Sequence, residues 1–482
     1  MNKGISLCSI ICLLSLNCEN NTRLTKKNIL MIIVDDMRHI IDNEKFNFPK
    51  TPNIKRLEKR GTSFTRAYAQ YANCSPSRMS FLTGLSPEKL GHEGNYNQKT
   101  EFNSHATMPK YFKFNQYYTS SFGKVYHDIR DDSSSWDLIH DIDRNNNDLA
   151  WECYGLLKNQ ILEGTDRPAV ENANLPLHQY NDFNITSAVE RHLEKVKDTL
   201  FFTVVGFRKP HLPFAAPKKY WDLYEYEDIS LQGISNAPID GDSIVYQWSE
   251  LSSYDKFFEY YASNNYRSRS VKSNDAKELI HGYLASVSYI DELVGRLINK
   301  LEELHLHKNT IIVFMSDHGL HLGEQQIWGK HSSYEMSTHV PLIIFNPSES
   351  SKGVKCNNFV ELIDIYPTLI DLNGLKKNTS LSGNSLSNFF DNDVNKFSGS
   401  AFSQYQSFQK DKSFNNYMAY AIYTEDFNYI EWQDLSKQRT IVQRELYDVS
   451  KNRSEIINIS AEPGYSKIQE DLSRAIRLNF GF

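Results

Sequence analysis

Two uninterrupted aliphatic runs stand out in the pattern of hydrophobic and polar positions. Residues 28–34 are almost entirely apolar and stop at Asp35 and Asp36, and residues 310–315 run in the same way into Asp317 and His318. Runs without polar alternation are typical of strands that are covered on both faces, as in a parallel sheet. The pattern therefore predicts two buried strands that each end in charged residues.

The remaining pattern predicts an α/β fold. Residues 200–207 and 340–345 are further strand-like runs, and residues 276–304 have apolar positions at helical spacing. Strands that alternate with helices favour a mostly parallel sheet with helices on both faces. Ligands of such sheets gather beyond the carboxyl ends of the strands. We therefore expect the two charged strand ends to lie in one site.

The last quarter of the chain predicts a smaller unit. Residues 374–393 are rich in Asn, Ser and Lys and indicate a linker or a surface excursion. Beyond them, short strands of an antiparallel sheet and a terminal helix are predicted, at 419–423, 429–432, 440–442 and 466–478. With 482 residues, the chain exceeds what one core usually supports. We expect a large domain at 28–393 and a C-terminal subdomain at 394–482.

The N-terminus predicts export. Lys3 precedes a short apolar run, which indicates an export leader at 1–17 rather than a membrane span. Cys18 closes this leader and precedes a polar tether at 18–27, so lipid anchoring at Cys18 and simple export are both open. The short leader and a composition rich in Asn, Lys and Ile favour a bacterial protein, either periplasmic or anchored to the outer membrane.

Charge and cysteine content narrow the function further. The net charge of -6 provides no basic field, which argues against nucleic acid as a partner. An anionic substrate therefore needs a local cationic pocket. Cys74, Cys153 and Cys356 remain after the leader besides Cys18, too few for a disulfide framework. Cys153 and Cys356 either pair or stay buried.

The segment 74–84 carries the most specific chemistry. It places a thiol, Cys74, a helix-starting proline, Pro76, and a cation, Arg78, within one turn. A cation near a helix start is unfavourable unless it faces an anion. Adjacent carboxylates, such as Asp35 and Asp36, are tolerable in one pocket only if a cation neutralises them. Hard oxygen ligands favour calcium or magnesium, and irregular geometry favours calcium.

The chain resembles the type I sulfatases, in their iduronate 2-sulfatase-like branch. The resemblance is carried by segments in the family's order, namely 34–36, 74–84, 123–127, 209–214, 316–319, Lys330 and 339–342. It implies an alkaline-phosphatase-like α/β sandwich with a large, mostly parallel sheet and a smaller C-terminal α+β subdomain with an antiparallel sheet. It also implies that Cys74 is oxidised to formylglycine by a formylglycine-generating or an anaerobic maturation enzyme.

The same resemblance implies a role for each matching residue. The divalent cation, with calcium preferred, is held by Asp35, Asp36, Asp317 and His318. Arg78 and Lys124 neutralise the hydrated aldehyde and the sulfate oxygens. His127 helps to release sulfate, and His211 and Lys330 flank the leaving oxygen.

The implied substrate is a sulfated oligosaccharide. A bacterial member of this branch is expected to degrade a sulfated polysaccharide, either a uronate-containing glycosaminoglycan or an algal polymer such as ulvan. Loops after the signature help to shape the sugar pocket, which makes four residues candidates for substrate binding: His92, Glu93, Asn95 and Tyr96. Two alternatives remain open, a phosphoester hydrolase of the same superfamily and a non-catalytic surface glycan-binding protein in which Cys74 stays a thiol.

Overall fold

The computed structural model describes residues 26–39, 49–91, 107–127, 132–140, 154–231, 234, 237–239, 243–245, 249–257, 271–348, 353–390, 399–407 and 416–482. The leader, Cys18 and Cys153 lie outside these residues, as do the predicted domain boundary after residue 393 and the sugar-binding candidates at 92–96. These predictions stay predictions. No helix in the described part of the chain has the length and apolar character needed to cross a bilayer.

The described residues form sixteen strands: β1 (Asn28–Val34), β2 (Thr62–Tyr68), β3 (Tyr118–Gly123), β4 (Leu138–His140), β5 (Val170–Ala173), β6 (Phe201–Phe207), β7 (Phe214–Pro217), β8 (Thr310–Ser316), β9 (His321–Leu322), β10 (Trp328–Gly329), β11 (His339–Phe345), β12 (Val354–Glu361), β13 (Ala401–Gln406), β14 (Tyr417–Tyr423), β15 (Phe427–Asp434) and β16 (Thr440–Asp448). Their α-helices are α1 (Pro52–Glu58), α2 (Cys74–Thr83), α3 (Met108–Phe114), α4 (Leu157–Gln160), α5 (Asn181–Val196), α6 (Lys218–Trp221), α7 (Ser273–Glu303), α8 (Glu335–Thr338), α9 (Ile365–Leu372) and α10 (Ser466–Phe480).

The large sheet has eight strands in the order β12-β2-β11-β8-β1-β6-β3-β4. Strand β1 is parallel to both β6 and β8, and Val34 is in register with Phe207 on one side and with Ser316 on the other. The strands that carry the two acidic ends therefore stop at the same level. Strand β11 runs antiparallel to both of its neighbours, β2 and β8. The prediction of a mostly parallel sheet is confirmed.

Helices cover both faces of this sheet. Side chains alternate between the faces of a strand, and β1 follows this rule. Leu30 and Ile32 pack in the core under α5 and α7, whereas Met31 and Ile33 pack in the core with α2, α3 and α9. The central strands β1, β6 and β8, which contribute to both cores, have only buried residues. The aliphatic run at 28–34 is uninterrupted because neither face of β1 meets solvent.

The smaller sheet is antiparallel, in the order β13-β14-β15-β16. One face packs against α10 and the other against the large domain, where Tyr68, Tyr71 and Tyr334 meet its side chains. The three predicted strands and the terminal helix are confirmed, with longer bounds, whereas β13 was not predicted. The predicted surface excursion after residue 374 runs along the large domain and is anchored in its core by Leu386 and Phe390.

Glu361, at the end of β12, links the two sheets. Its environment predicts that the free energy of unfolding depends on pH. Its Oε1 accepts a hydrogen bond of 2.6 Å from the Phe402 N–H on β13. Burial, together with the neighbouring Asp364 carboxyl, raises the pKa of Glu361 from 4.5 to about 8. The folded state therefore binds more protons than the unfolded state between these values, and stability falls as the pH rises through this window.

We expect the free energy of unfolding to fall on the order of 1–3 kcal/mol between roughly pH 5 and pH 8 through this group. Glu361→Gln is expected to reduce the fall, because glutamine keeps the acceptor oxygen but does not ionise. Urea denaturation of both proteins at the two pH values measures the effect. An equal fall in the variant and the wild type would contradict the prediction.

Candidate active site

The carboxyl ends of β1 and β8 bring three aspartates together. The Asp35 N–H donates to the Phe207 carbonyl over 3.2 Å, and the Asp317 N–H donates to the Val34 carbonyl over 3.2 Å, which continues the strand pairing by one residue. The Asp36 N–H donates to Asp317 Oδ1 over 3.2 Å. Asp36 has a φ of 61°, a conformation that residues other than glycine rarely adopt. Such backbone strain is common where side chains are held for function.

Helix α2 presents Cys74 and Arg78 to these strand ends. They are four residues apart and share one face of the helix, and both are buried. Arg78 Nε donates to Asp317 Oδ2 over 2.8 Å, and Arg78 Nη2 donates to Asp35 Oδ1 over 3.0 Å. The guanidinium thus bridges the aspartates of β1 and β8. These anions offset the unfavourable position of a cation near a helix start.

Two lysines flank the thiol of Cys74. Lys124 contacts Asp35 Oδ2, and its Nζ lies 3.7 Å from Cys74 Sγ. Lys330 Nζ lies 3.1 Å from Asp36 Oδ1 and 3.3 Å from Cys74 Sγ. Lys124 comes directly after β3, and its backbone lies close to Gly206 on β6. A Cβ on Gly206 would lie 1.9 Å from the Lys124 carbonyl oxygen. Position 206 therefore requires glycine.

The field at residue 74 favours negative charge. Burial and the Asp35 carboxylate would raise the pKa of the Cys74 thiol, but Lys124, Lys330 and His318 outweigh them and hold this pKa well below its usual range. Burial would also raise the pKa of Asp35, yet the charges of Lys124 and Arg78 hold it well below its usual range. The site thus stabilises negative charge on the side chain of residue 74.

The side chains also form a donor set for a divalent cation. Ligand atoms of Asp35, Cys74, Asp317 and His318 lie within 4.8 Å of one another, and a second such group contains Asp36. His318 Nδ1 lies 3.0 Å from the Gly319 carbonyl oxygen and donates to it when Nδ1 carries the ring proton. The neutral ring then keeps a lone pair on Nε2, which lies 3.4 Å from Asp36 Oδ1. Carboxylate oxygens with one imidazole suit a hard divalent ion.

The electrostatics agree with this donor set. Burial would lower the pKa of His318, but Asp317, Cys74 and Asp36 raise it to about 10. Burial raises the pKa of Asp317 to about 7, because the neighbouring Arg78 offsets only part of the desolvation. The shift of His318 shows that the neighbouring carboxylates attract positive charge. The residues present therefore fit a bound cation.

The open side of the site is formed by His211 and Glu250. Their side chains are 24% and 23% exposed, in contrast to the buried Lys330. His211 Nε2 lies 3.5 Å from Glu250 Oε2 and 4.0 Å from Asp36 Oδ2. Burial and Lys330 would lower the pKa of His211, but Asp36 and Glu250 raise it to about 9. Sequence reasoning missed Glu250, which lies in no motif and reaches the site only through the fold.

The structure brings together nine of the ten predicted catalytic and metal-binding residues: Asp35, Asp36, Cys74, Arg78, Lys124, His211, Asp317, His318 and Lys330. His127 lies beyond the end of β3, as Lys124 does, but its side chain is exposed. The roles assigned to these residues stay predictions.

Comparison with known proteins places the chain in a family. Residues 27–375 match the sulfatase family model, and residues 323–479 match the model of the N-sulphoglucosamine sulphohydrolase C-terminal region. The chain belongs to the sulfatase family. This sulfatase is 32% identical over 411 residues to iduronate 2-sulfatase of Homo sapiens, covering 77% of this chain and 74% of that relative. The predicted resemblance to this branch is confirmed, and the protein is a sulfuric ester hydrolase.

Two further matches describe the range of relatives. An ulvan-active sulfatase of Formosa agariphila is 29% identical over 385 residues, covering 78% of this chain and 67% of that relative. The solved structure of the phosphonate monoester hydrolase of Agrobacterium radiobacter superposes with a TM-score of 0.76 at 20% identity, covering 95% of this sulfatase and 96% of that chain. The second match establishes the shared fold and confirms the predicted α/β sandwich.

Proposed function

We propose that this sulfatase removes an O-sulfate from a saccharide during the degradation of a sulfated polysaccharide. The observation that supports this most is the buried Cys74, flanked by Lys124 and Lys330 beside three aspartates. The similarity to iduronate 2-sulfatase and to an ulvan-active sulfatase favours a uronate-containing glycosaminoglycan or an algal polymer such as ulvan.

In this proposal Cys74 is matured to formylglycine by a dedicated formylglycine-generating or anaerobic enzyme. Its Sγ then marks the position of a hydroxyl oxygen of the hydrated aldehyde. Lys124 and Lys330, at 3.7 and 3.3 Å from that position, stabilise the negative charge that makes the oxygen a nucleophile. They also face the sulfuryl oxygens, whose charge the transition state spreads over the group.

Calcium is the proposed cation, held by Asp35, Asp36, Asp317 and His318. When bound, it supplies Lewis-acid polarisation of the nucleophilic and sulfate oxygens. Arg78 would hold Asp35 and Asp317 in place through its Nε and Nη2 donors. These two bonds fix the orientation of both carboxylates relative to each other.

His211 and Lys330 are the proposed proton donors to the saccharide oxygen. When the sulfur–oxygen bond breaks, its electron pair stays on that oxygen, which must take a proton to leave as a hydroxyl group. His211 is suited to this task because its side chain reaches both the buried carboxylates and the open side of the site. The exposed His127 remains a candidate for assisting sulfate release.

Several features of the proposal concern the cell and the substrate rather than the chemistry. Export to the periplasm or the outer membrane rests on the leader-like segment 1–17, and lipid anchoring rests on Cys18. Sugar recognition by four residues rests on their place after the signature helix: His92, Glu93, Asn95 and Tyr96.

A panel of defined sulfated oligosaccharides tests the function. We expect matured protein to release free sulfate from one position of one or a few members, and to hydrolyse the matching phosphate esters more slowly. Ion chromatography measures the released sulfate, and mass spectrometry of the product locates the position lost. Faster hydrolysis of the phosphate esters would favour the phosphoester hydrolase alternative and contradict the proposal.

The proposed calcium site has its own test. Dialysis against a chelator is expected to abolish sulfate release, and calcium is expected to restore it. A cation that binds only the folded state also stabilises it, by about 2.7 kcal/mol at a concentration 100 times its Kd. Recovery with magnesium but not with calcium would show that the ion is assigned wrongly.

A further inference from the structure

Among the described carboxylates, Glu250 lies closest to both proposed proton donors. Its Oε2 lies 3.0 Å from Lys330 Nζ and 3.5 Å from His211 Nε2, so one carboxylate oxygen faces both groups. Two cations held side by side repel each other unless anions lie next to them. Asp36 lies on the inner side of the same pair, 3.1 Å from Lys330 Nζ. Glu250 therefore provides a second carboxylate, on the partly exposed side, that offsets the repulsion between His211 and Lys330.

The backbone around Glu250 is fixed to the segment that carries Lys330. Glu250 begins a 3-10 helix, Glu250–Ser253, whose preceding residue Ser249 accepts a hydrogen bond of 3.3 Å from the Leu251 N–H. The Ser249 hydroxyl also donates to the Trp328 carbonyl on β10. A Cβ at Gly329 would lie 3.4 Å from Ser249 Oγ. Because Lys330 follows β10 directly, this clamp sets the position of Glu250 relative to Lys330.

We propose that Glu250 is a positioning residue that holds His211 and Lys330 toward the leaving saccharide oxygen. The inference rests on the proposed function and deepens it. Glu250 and His211 form the partly exposed side of the site, whereas Cys74, Arg78 and Lys330 are buried. The saccharide therefore approaches from the side on which Glu250 orients the two donors.

The test compares two leaving groups. A saccharide oxygen leaves only when it is protonated, whereas a nitrophenolate leaves without a proton. We expect Glu250→Gln to lower kcat on the sulfated saccharide by about 10- to 100-fold, part of the 10²- to 10⁴-fold that proton transfer contributes. On 4-nitrophenyl sulfate the change is expected to stay within about threefold, with KM little altered on both substrates.

Two further variants serve as a partial perturbation and as a control. Ser249→Ala, which removes the clamp to β10 but leaves the carboxylate, is expected to give a smaller loss with the same dependence on the leaving group. Glu225→Gln makes the same change in charge on the exposed surface and is expected to leave both rates unchanged. Thermal unfolding of each variant measures folding separately.

The outcomes separate the two proposals. A loss in Glu250→Gln by the same factor on both substrates, or no loss on either, would overturn the role of Glu250 while leaving the sulfatase activity in place. Absence of sulfate release by the matured wild type from every ester would overturn the proposed function, and the role of Glu250 with it.

Discussion

Cys74→Ala is expected to abolish sulfate release, with a fall in kcat on the order of 10⁵-fold or more. Alanine cannot be converted to an aldehyde, so the position faced by Lys124 and Lys330 holds no oxygen nucleophile. The loss of one small buried side chain should leave the fold intact. Sulfate release is measured on the best substrate of the panel, and circular dichroism reports the fold.

Cys356→Ala is the matched control for this variant. Cys356 is also a buried free thiol, but it packs in the hydrophobic core of the large domain. Burial raises the pKa of Cys356, the opposite of the shift at Cys74. We expect this variant to keep its activity. Mass spectrometry of the peptide containing residue 74 should show an aldehyde in the wild type. Undiminished release by Cys74→Ala would refute the proposed nucleophile.

Arg78→Met is expected to lower the free energy of unfolding by about 3–5 kcal/mol, the usual effect of removing one partner from a buried ion pair. Methionine fills much of the space, but it leaves Asp35 and Asp317 without the guanidinium that bridges them. Sulfate release should fall as well, because these carboxylates lose their orientation. Urea denaturation and the sulfate assay measure the two effects.

The stability of Arg78→Met is also measured with added calcium. If the same carboxylates hold the ion, calcium is expected to stabilise Arg78→Met by repairing part of the charge imbalance, without restoring full activity. The matched control is Arg474→Met on α10, which breaks an exposed pair with Asp471 at 2.7 Å. Such surface pairs contribute about 0–1 kcal/mol. Equal losses of stability in the two variants would contradict the account of Arg78.

The sequence predicted the strands whose residues are buried on both faces of the sheet. The runs that became β1 and β8 are almost entirely apolar because both faces of the sheet are covered by helices. The direction of β11 was not predictable, since a run that is buried on both faces carries no record of its neighbours' polarity. Strand β13 was missed because it contains Ser403 and Gln404, polar residues that become buried only against other parts of the chain.

The active site was likewise predictable only in part. Residues that the local chain places at strand ends or on one turn of a helix, such as Asp35, Asp317 and Arg78, were predictable from spacing and from their resemblance to a family. Their distances were not, because these depend on the register of β1 against β8 and on the docking of α2.

The sequence by itself determined the fold class, the acidic strand ends and the family, since each is recorded in patterns over short stretches of chain. Only the tertiary structure decided that Arg78 bridges Asp35 and Asp317, and that Glu250 faces both His211 and Lys330. The physical reason is that charges act through space. A carboxylate in a segment without any motif acquires its role only when the folded chain brings it within 3.5 Å of both partners.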